Sequence, residues 1–401
     1  MKTFTSFKMH PSTDILFGKE TELEAGRMVK KHGGSKVLLV YGGGSVKKSG
    51  LYDRVSLSLK NEGIPWAELP GVQANPRRSF AEKGIKLAQD EQVDFLLAVG
   101  GGSVIDTAKA IGLALANGGK YWHFFRGEAA PQKMMGVGAI CTISAAGSEM
   151  SQSAVILDDV ETGLKKSVFF ECCRPVFAIM NPELSYTVSP YQTGVGAADI
   201  LAHTVNRYFQ KGFPVSHLAD EFAEGLMRNV VRWGPVAVAN PGDYEARAEL
   251  MMAATWSHND LTGLGRSGPR GGEHVLEHHI SSHYDTAHGA GLSVVMPAWL
   301  QYITDHGAPE EVARVAQFAV GVFAIRADFA DIKETANAGL RAFRAWLKSM
   351  GMPLTLKELG VPKEDLELMV KLCMQRNNGR VSGFVEFGEH EVREIFASVL
   401  E

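Results

Sequence analysis

At 401 residues the chain is too long for one ordinary core and suits two domains, on a scale of roughly 100 to 200 residues each. Hydrophobic residues at 45%, charged residues at 21% and a formal net charge of -4 leave no excess of either sign, which argues against nucleic acid or anionic membrane as a partner. No apolar run reaches the roughly 18 residues that span a bilayer, and Met1–Lys8 lacks the basic start and apolar stretch of a signal peptide, so a cytoplasmic protein is expected.

In chain order, the first half alternates helical spacing with short apolar runs. A helix is predicted over residues 19–31, a strand over 36–41 (KVLLVY), helices over 46–61 and 79–89, and a strand over 93–99 (VDFLLAV). A helix over 104–116 and strands over 134–141 and 176–180 follow. Strand and helix in repetition imply a parallel sheet covered on both faces. Beyond about residue 190 the texture becomes Ala-, Leu- and Met-rich with helical periodicity, and the turn-rich NPELSYTVSP marks the change. The expected division is an α/β domain over 1–186 and an all-α domain over 187–401. Of four cysteines two are adjacent, Cys172 and Cys173, and no Cys-x-x-Cys occurs, so neither a disulfide framework nor a zinc ribbon is indicated.

Two glycine runs each follow an apolar strand and lead into a helix: Gly42, Gly43, Gly44 and Ser45, then Gly100, Gly101, Gly102 and Ser103. Bare backbone at the carboxyl end of a parallel strand, with the amides of a helix N-terminus beyond it, is where open α/β sheets receive phosphate. The literal G-x-G-x-x-G string at 263–268 has no strand before it and Pro269 after it, so it is rejected as a dinucleotide fingerprint. No tyrosine has a lysine four residues later, which removes the Tyr/Lys proton-transfer pair of short-chain dehydrogenases. Any hydride chemistry would need another electrophile.

Asp199 and His203 stand four apart in ADILAHTVNRYF, so both project from one face of a helix and can grip one ion. Downstream lies the densest histidine stretch, with His274, His278, His279, His283 and His288. One carboxylate and three imidazoles suit Fe²⁺ or Zn²⁺ with an open position for a substrate oxygen. The stretch offers more imidazoles than that; His274 and His278 form an i, i+4 pair like a metal clip, while His279 and His283 fall on another face.

GGGSVIDTAKAIG (100–112), TISAAGSEMS (142–151), ADILAH (198–203) and the 274–288 histidine span together resemble the iron-containing alcohol dehydrogenases over nearly the whole chain. YGGGSVKKSGLYD (41–53) looks closest to the butanol dehydrogenase and broad aldehyde reductase branch. The resemblance implies a dinucleotide-binding α/β domain followed by an all-α domain (the dehydroquinate synthase-like, iron-containing alcohol dehydrogenase fold), with cofactor and metal meeting in the cleft between them. Its ligand set falls on Asp199, His203, His274 and His288, and His278 becomes a group near the nicotinamide with a proton-relay role. Gly101, Gly102 and Ser103 would hold the pyrophosphate with Asp106 beside them, Thr142 would line the cofactor cleft, and Lys165, with Lys166 adjoining, would lie near the nicotinamide ribose. AAGSE (145–149) departs from the family's usual Gly-Thr-Gly-Ser-Glu-like stretch.

Family members using NAD tend to carry an acid after the first strand, where it accepts a hydrogen bond from the ribose 2′-OH and repels a 2′-phosphate. Here that position is Gly43, with Ser45, Lys47 and Lys48 nearby, so NADP(H) is favoured over NAD(H). The implied activity is hydride transfer between NADP(H) and aldehydes or primary alcohols, by a homodimer. The same two-domain plan also resembles dehydroquinate synthase-like lyases and glycerol dehydrogenase-like polyol oxidoreductases.

Overall fold

A computed structural model describes residues 6–211, 216–266, 268–377 and 379–401. Met1 to Thr5, at the start of the segment read for a leader, and Ser267, within the 263–268 glycine string, lie outside them. The chain folds into two compact units, the first over Met9–Val188 and the second built on Ser189–Glu401.

Eight strands are found among the described residues, all in the first unit: β1 (Asp14–Phe17), β2 (Val37–Tyr41), β3 (Trp66–Pro70), β4 (Phe95–Gly100), β5 (Val137–Cys141), β6 (Ser153–Leu157), β7 (Lys165–Phe169) and β8 (Phe177–Met180). Six form one parallel sheet in the order β1-β8-β5-β4-β2-β3, and β6 and β7 pair antiparallel beside it. The central strands β2, β4, β5 and β8 are buried at every residue, as near-continuous apolar runs require when helices cover both faces. From β2 the chain crosses to β3 on one side, and from β4 it crosses to β5 on the other. The sheet therefore has its topological switch point between β2 and β4, where the crevice of an open α/β sheet forms.

Helices differ from expectation at two places. The segment over 46–61 is broken, because Gly50 takes φ +71 between helices Ser45–Lys48 and Leu51–Asn61. The segment over 19–31 begins as a tight 3₁₀ turn, Thr21–Glu24, and becomes α-helical only at Ala25–Lys31.

The second unit is helical. Ser189 caps Pro190–Tyr208 by accepting the Gln192 amide at 3.2 Å, and Pro190 fits the first turn, where no amide is needed. That helix and His288–His306 are both almost wholly buried and pack on each other closely. A Cβ added to Gly289 would lie 2.1 Å from the Val195 carbonyl oxygen, so only glycine permits this approach. Among the described residues no helix is long and apolar enough to cross a membrane.

Candidate metal centre and cofactor-binding strand ends

Three helices of the second unit deliver the histidine cluster. Asp199 and His203 lie one turn apart on Pro190–Tyr208, His274 and His278 on Glu273–Tyr284, and His288 is the first residue of His288–His306. Asp285 turns the chain back between the last two helices in left-handed conformation, φ +51. That reversal brings together two histidines fourteen residues apart in sequence.

The ligand atoms of Asp199, His274 and His288 lie within 4.8 Å of one another. His288 Nε2 is 3.9 Å and His203 Nδ1 3.7 Å from Asp199 Oδ1. The His203 and His274 rings are 5.1 Å apart and those of His274 and His288 5.3 Å. His278 stands at the margin, its ring 5.4 Å from that of His288. His283 is exposed and His279 is buried.

Both His203 Nδ1 and His274 Nε2 are buried without a hydrogen-bond partner among the described residues. Leaving such an atom unsatisfied costs about 1–3 kcal/mol, and a cation at the cluster removes that cost. Burial, reinforced by His258, pushes the His203 imidazole well below its ordinary value, which keeps it the neutral donor a metal needs. Burial also works against charge on His274, but the Glu273 carboxylate outweighs it and raises that group. Nitrogen and oxygen donors in this number fit Fe²⁺ or Zn²⁺.

A second grouping of Glu277, His278 and His288 also falls within 4.8 Å. Glu277 Oε2, however, is already bonded to His288 Nδ1, which puts this carboxylate behind the imidazole rather than beside an ion. Glu273 stands in the same relation to His274, accepting from Nδ1 at 2.7 Å. His258 stacks on His203 with centroids 4.1 Å apart. Sequence reasoning passed over Glu273, Glu277 and His258; the only available signal was a glutamate directly before each histidine of the i, i+4 pair.

In the first unit, the two glycine runs and Thr142 gather at the carboxyl ends of three adjacent strands, whereas Lys165 begins β7. Gly42 to Ser45 follow β2, Gly101 to Ser103 follow β4, and Thr142 follows β5 with its amide donated to the Gly100 carbonyl at 3.2 Å. The helix Gly102–Ala116 begins at this edge, where the amides of a helix N-terminus favour an anion, although the Val104 amide is already donated to the Gly101 carbonyl at 3.0 Å. A Cβ on Gly101 would lie 2.4 Å from Ile143 and one on Gly102 2.9 Å from Ala146, so the second glycine run also seats the 142–146 loop. Gly43 has no atom within 4 Å of where a Cβ would stand.

Asp106 spends both carboxylate oxygens on the chain itself, on Ser148 Oγ at 2.5 Å and the Val155 amide at 2.9 Å. Lys109, one turn on and fully buried, donates to Ser148 Oγ, Ser151 O and Ser153 O, so the helix holds the start of β6 through these two charges. Of the adjoining lysines, Lys165 is buried at the start of β7 and Lys166 is half-buried. Lys47 pairs with Glu68 at 3.4 Å over the Tyr52 ring, while Lys48 is exposed.

Comparison with known proteins finds a match for each of the two units. The first unit matches the family description "Iron-containing alcohol dehydrogenase" over residues 12–182, and the second matches its C-terminal counterpart over 192–400. The NADH-dependent butanol dehydrogenase A of Clostridium acetobutylicum is 36% identical over 98% of each chain. The NADPH-dependent aldehyde reductase YqhD of Escherichia coli is 34% identical over 96% of this chain and 95% of its own. The crystal structure of a butanol dehydrogenase A from Thermotoga maritima superposes with a TM-score of 0.92 at 35% identity over the whole of both chains. The chain belongs to the iron-containing alcohol dehydrogenase family, in its butanol dehydrogenase and aldehyde reductase branch. That membership puts it among the alcohol and aldehyde oxidoreductases.

Proposed function

We propose that this protein reduces aldehydes to primary alcohols with NADPH in preference to NADH, at a divalent ion, Fe²⁺ or Zn²⁺, held by Asp199, His203, His274 and His288. The observation that carries the reading is the convergence of donor atoms from Asp199, His274 and His288 within 4.8 Å around an unpartnered, buried His274 Nε2. When bound, such an ion supplies Lewis acidity toward a carbonyl oxygen, and a reduced nicotinamide supplies the hydride.

The chain's own residues bind, orient and move the proton. The first-turn amides of Gly102–Ala116 and Ser103 receive the pyrophosphate, and Gly42 to Ser45 leave room for the adenosine ribose. Thr142 and Lys165 are assigned to the remainder of the cofactor. Reduction of an aldehyde consumes one hydride and one proton; we assign delivery of the proton to His278, whose ring at the margin of the cluster, 5.4 Å from that of His288, supports the assignment. Relatives of this branch include both NADH-dependent and NADPH-dependent enzymes, so the choice rests on this chain's residues. No carboxylate stands at Gly43 to repel a 2′-phosphate, Lys48 is exposed nearby, and the charge of Lys47 is partly spent on Glu68.

The test is elemental analysis of the purified protein, together with oxidation of NADPH and NADH by butyraldehyde before and after chelation. Metal near one per chain and chelator-sensitive oxidation, faster with NADPH, are expected. Protein inactive after Fe²⁺ or Zn²⁺ is restored sinks the reading, and net consumption of reduced cofactor separates it from a lyase that regenerates its NAD in each cycle.

A further inference from the structure

We infer that Glu273 and Glu277 are positioning residues that fix which nitrogen His274 and His288 present to the ion. The inference rests on the proposal that these histidines are ligands. Both carboxylates are fully buried, an arrangement rare without a specific partner. Each finds its partner in the inner nitrogen of one histidine: Glu273 Oε1 accepts from His274 Nδ1 at 2.7 Å, and Glu277 Oε2 accepts from His288 Nδ1.

A neutral imidazole has one N–H and one lone pair. A carboxylate accepting at Nδ1 keeps the proton there and leaves the lone pair on Nε2. The Nε2 atoms are the ones that face the cluster: that of His274 has no hydrogen-bond partner among the described residues, and that of His288 lies 3.9 Å from Asp199 Oδ1.

The carboxylates are themselves held. Asn206, on the helix that carries Asp199 and His203, donates to Glu273 Oε1 at 2.9 Å. A Cβ added to Gly291 would lie 2.5 Å from Glu277 Oε1, so the glycine one turn into the His288 helix vacates the volume this carboxylate fills. One glutamate therefore ties His274 to the Pro190–Tyr208 helix, and the other ties His288 to the helix carrying His274 and His278.

Co²⁺ is the probe: its dissociation constant from the full-length protein is measured by chelator competition, its visible absorption is recorded, and the metal-free proteins are melted. Glu273→Gln and Glu277→Gln keep shape and lose charge. Each is expected to weaken Co²⁺ binding about 10- to 100-fold and alter the absorption bands, with metal-free melting near that of wild type. Folded variants with wild-type affinity and spectrum overturn the inference. Should the Gln variants fail to fold, Gly291→Ala crowds the Glu277 carboxylate without altering its chemistry: weaker Co²⁺ binding supports the assignment, and unchanged binding overturns it. Wild-type protein that takes up no Co²⁺, or a His274→Ala variant that binds it as tightly as wild type, overturns the ligand assignment itself.

Discussion

Tyr41 on β2 stands directly opposite Val99 on β4, so the two glycine runs leave the sheet at the same level, on either side of its switch point. One run is crowded and the other open, and the proposed preference for NADPH assigns the choice of cofactor to the open one. Gly43 is exposed, with free volume where a side chain would begin. Gly43→Asp should therefore fold as wild type while placing a carboxylate where the proposed function puts the 2′-phosphate. The expected outcome is a fall in the NADPH-to-NADH ratio of kcat/KM by at least about tenfold, equivalent to ~1.4 kcal/mol. Kinetics with both cofactors measure it, and an unchanged ratio means the 2′-phosphate is bound elsewhere.

Lys109 makes three hydrogen bonds from a site with no solvent exposure, and burial pulls its ammonium down while the charge of Asp106 opposes that. Ser148 bridges the two, accepting from Lys109 and donating to Asp106. Lys109→Met keeps the length but strands the carboxylate, and breaking a buried charged arrangement from one side typically costs about 3–5 kcal/mol. Lys109→Met with Asp106→Asn should cost less than Lys109→Met alone, since no lone charge remains. Urea unfolding of both variants measures this, and a double variant no more stable than the single removes the pairing.

How much of this was legible depended on whether an element's signal was local. β2 and β4 were readable because central strands are apolar on both faces, and the glycine runs inherited their position from them. The edge strands were not: β1 is three half-buried residues and an exposed Phe17, and β3 mixes Glu68 and Pro70 into its run. β6 is held through Asp106 and Lys109, contacts no periodicity reveals, and β7 only by pairing with β6. In the second unit the Asp199–His203 pair was readable from helical spacing. The pairing of His274 with His288 came from resemblance alone, because it depends on the left-handed turn at Asp285. Glu273 and Glu277 look in sequence like any solvated helix glutamates; only tertiary burial gives them their partners.

Asp94, in the first unit, offers a pH test independent of the histidine cluster of the second. Its Oδ1 accepts the amides of Ser35 and Lys36, both at 2.9 Å, tying the entry of β2 to that of β4. Burial works against the charge, but these amides and the Ser35 hydroxyl outweigh it and hold the carboxyl below its ordinary value of 3.8. With the folded value depressed, the unfolded chain takes up protons first on acidification, so the stabilisation is complete above 3.8 and is lost as pH falls through the folded value. Because Asp94 is exposed and solvent competes for these bonds, Asp94→Asn should lower stability by no more than about 1 kcal/mol at neutral pH. The gap to wild type should stay constant down to about pH 5 and close below about pH 4. Denaturant unfolding across that range decides it; a gap that widens in acid contradicts the sign.

Removing the ion should destabilise the second unit as well as stop turnover. His203 and His274 each bury a nitrogen with no protein partner, so the metal-free fold carries unsatisfied polar atoms that bound metal relieves. An ion that binds only the folded chain adds about 2.7 kcal/mol when present at 100 times its dissociation constant. Chelation should lower the melting temperature, and restoring Fe²⁺ or Zn²⁺ should recover it. In His274→Ala one ligand and one buried nitrogen disappear together, so that variant should melt at nearly the same temperature with and without added ion and lose kcat rather than gain KM. A His274→Ala protein that still shows the full metal-dependent shift locates the ion away from this cluster.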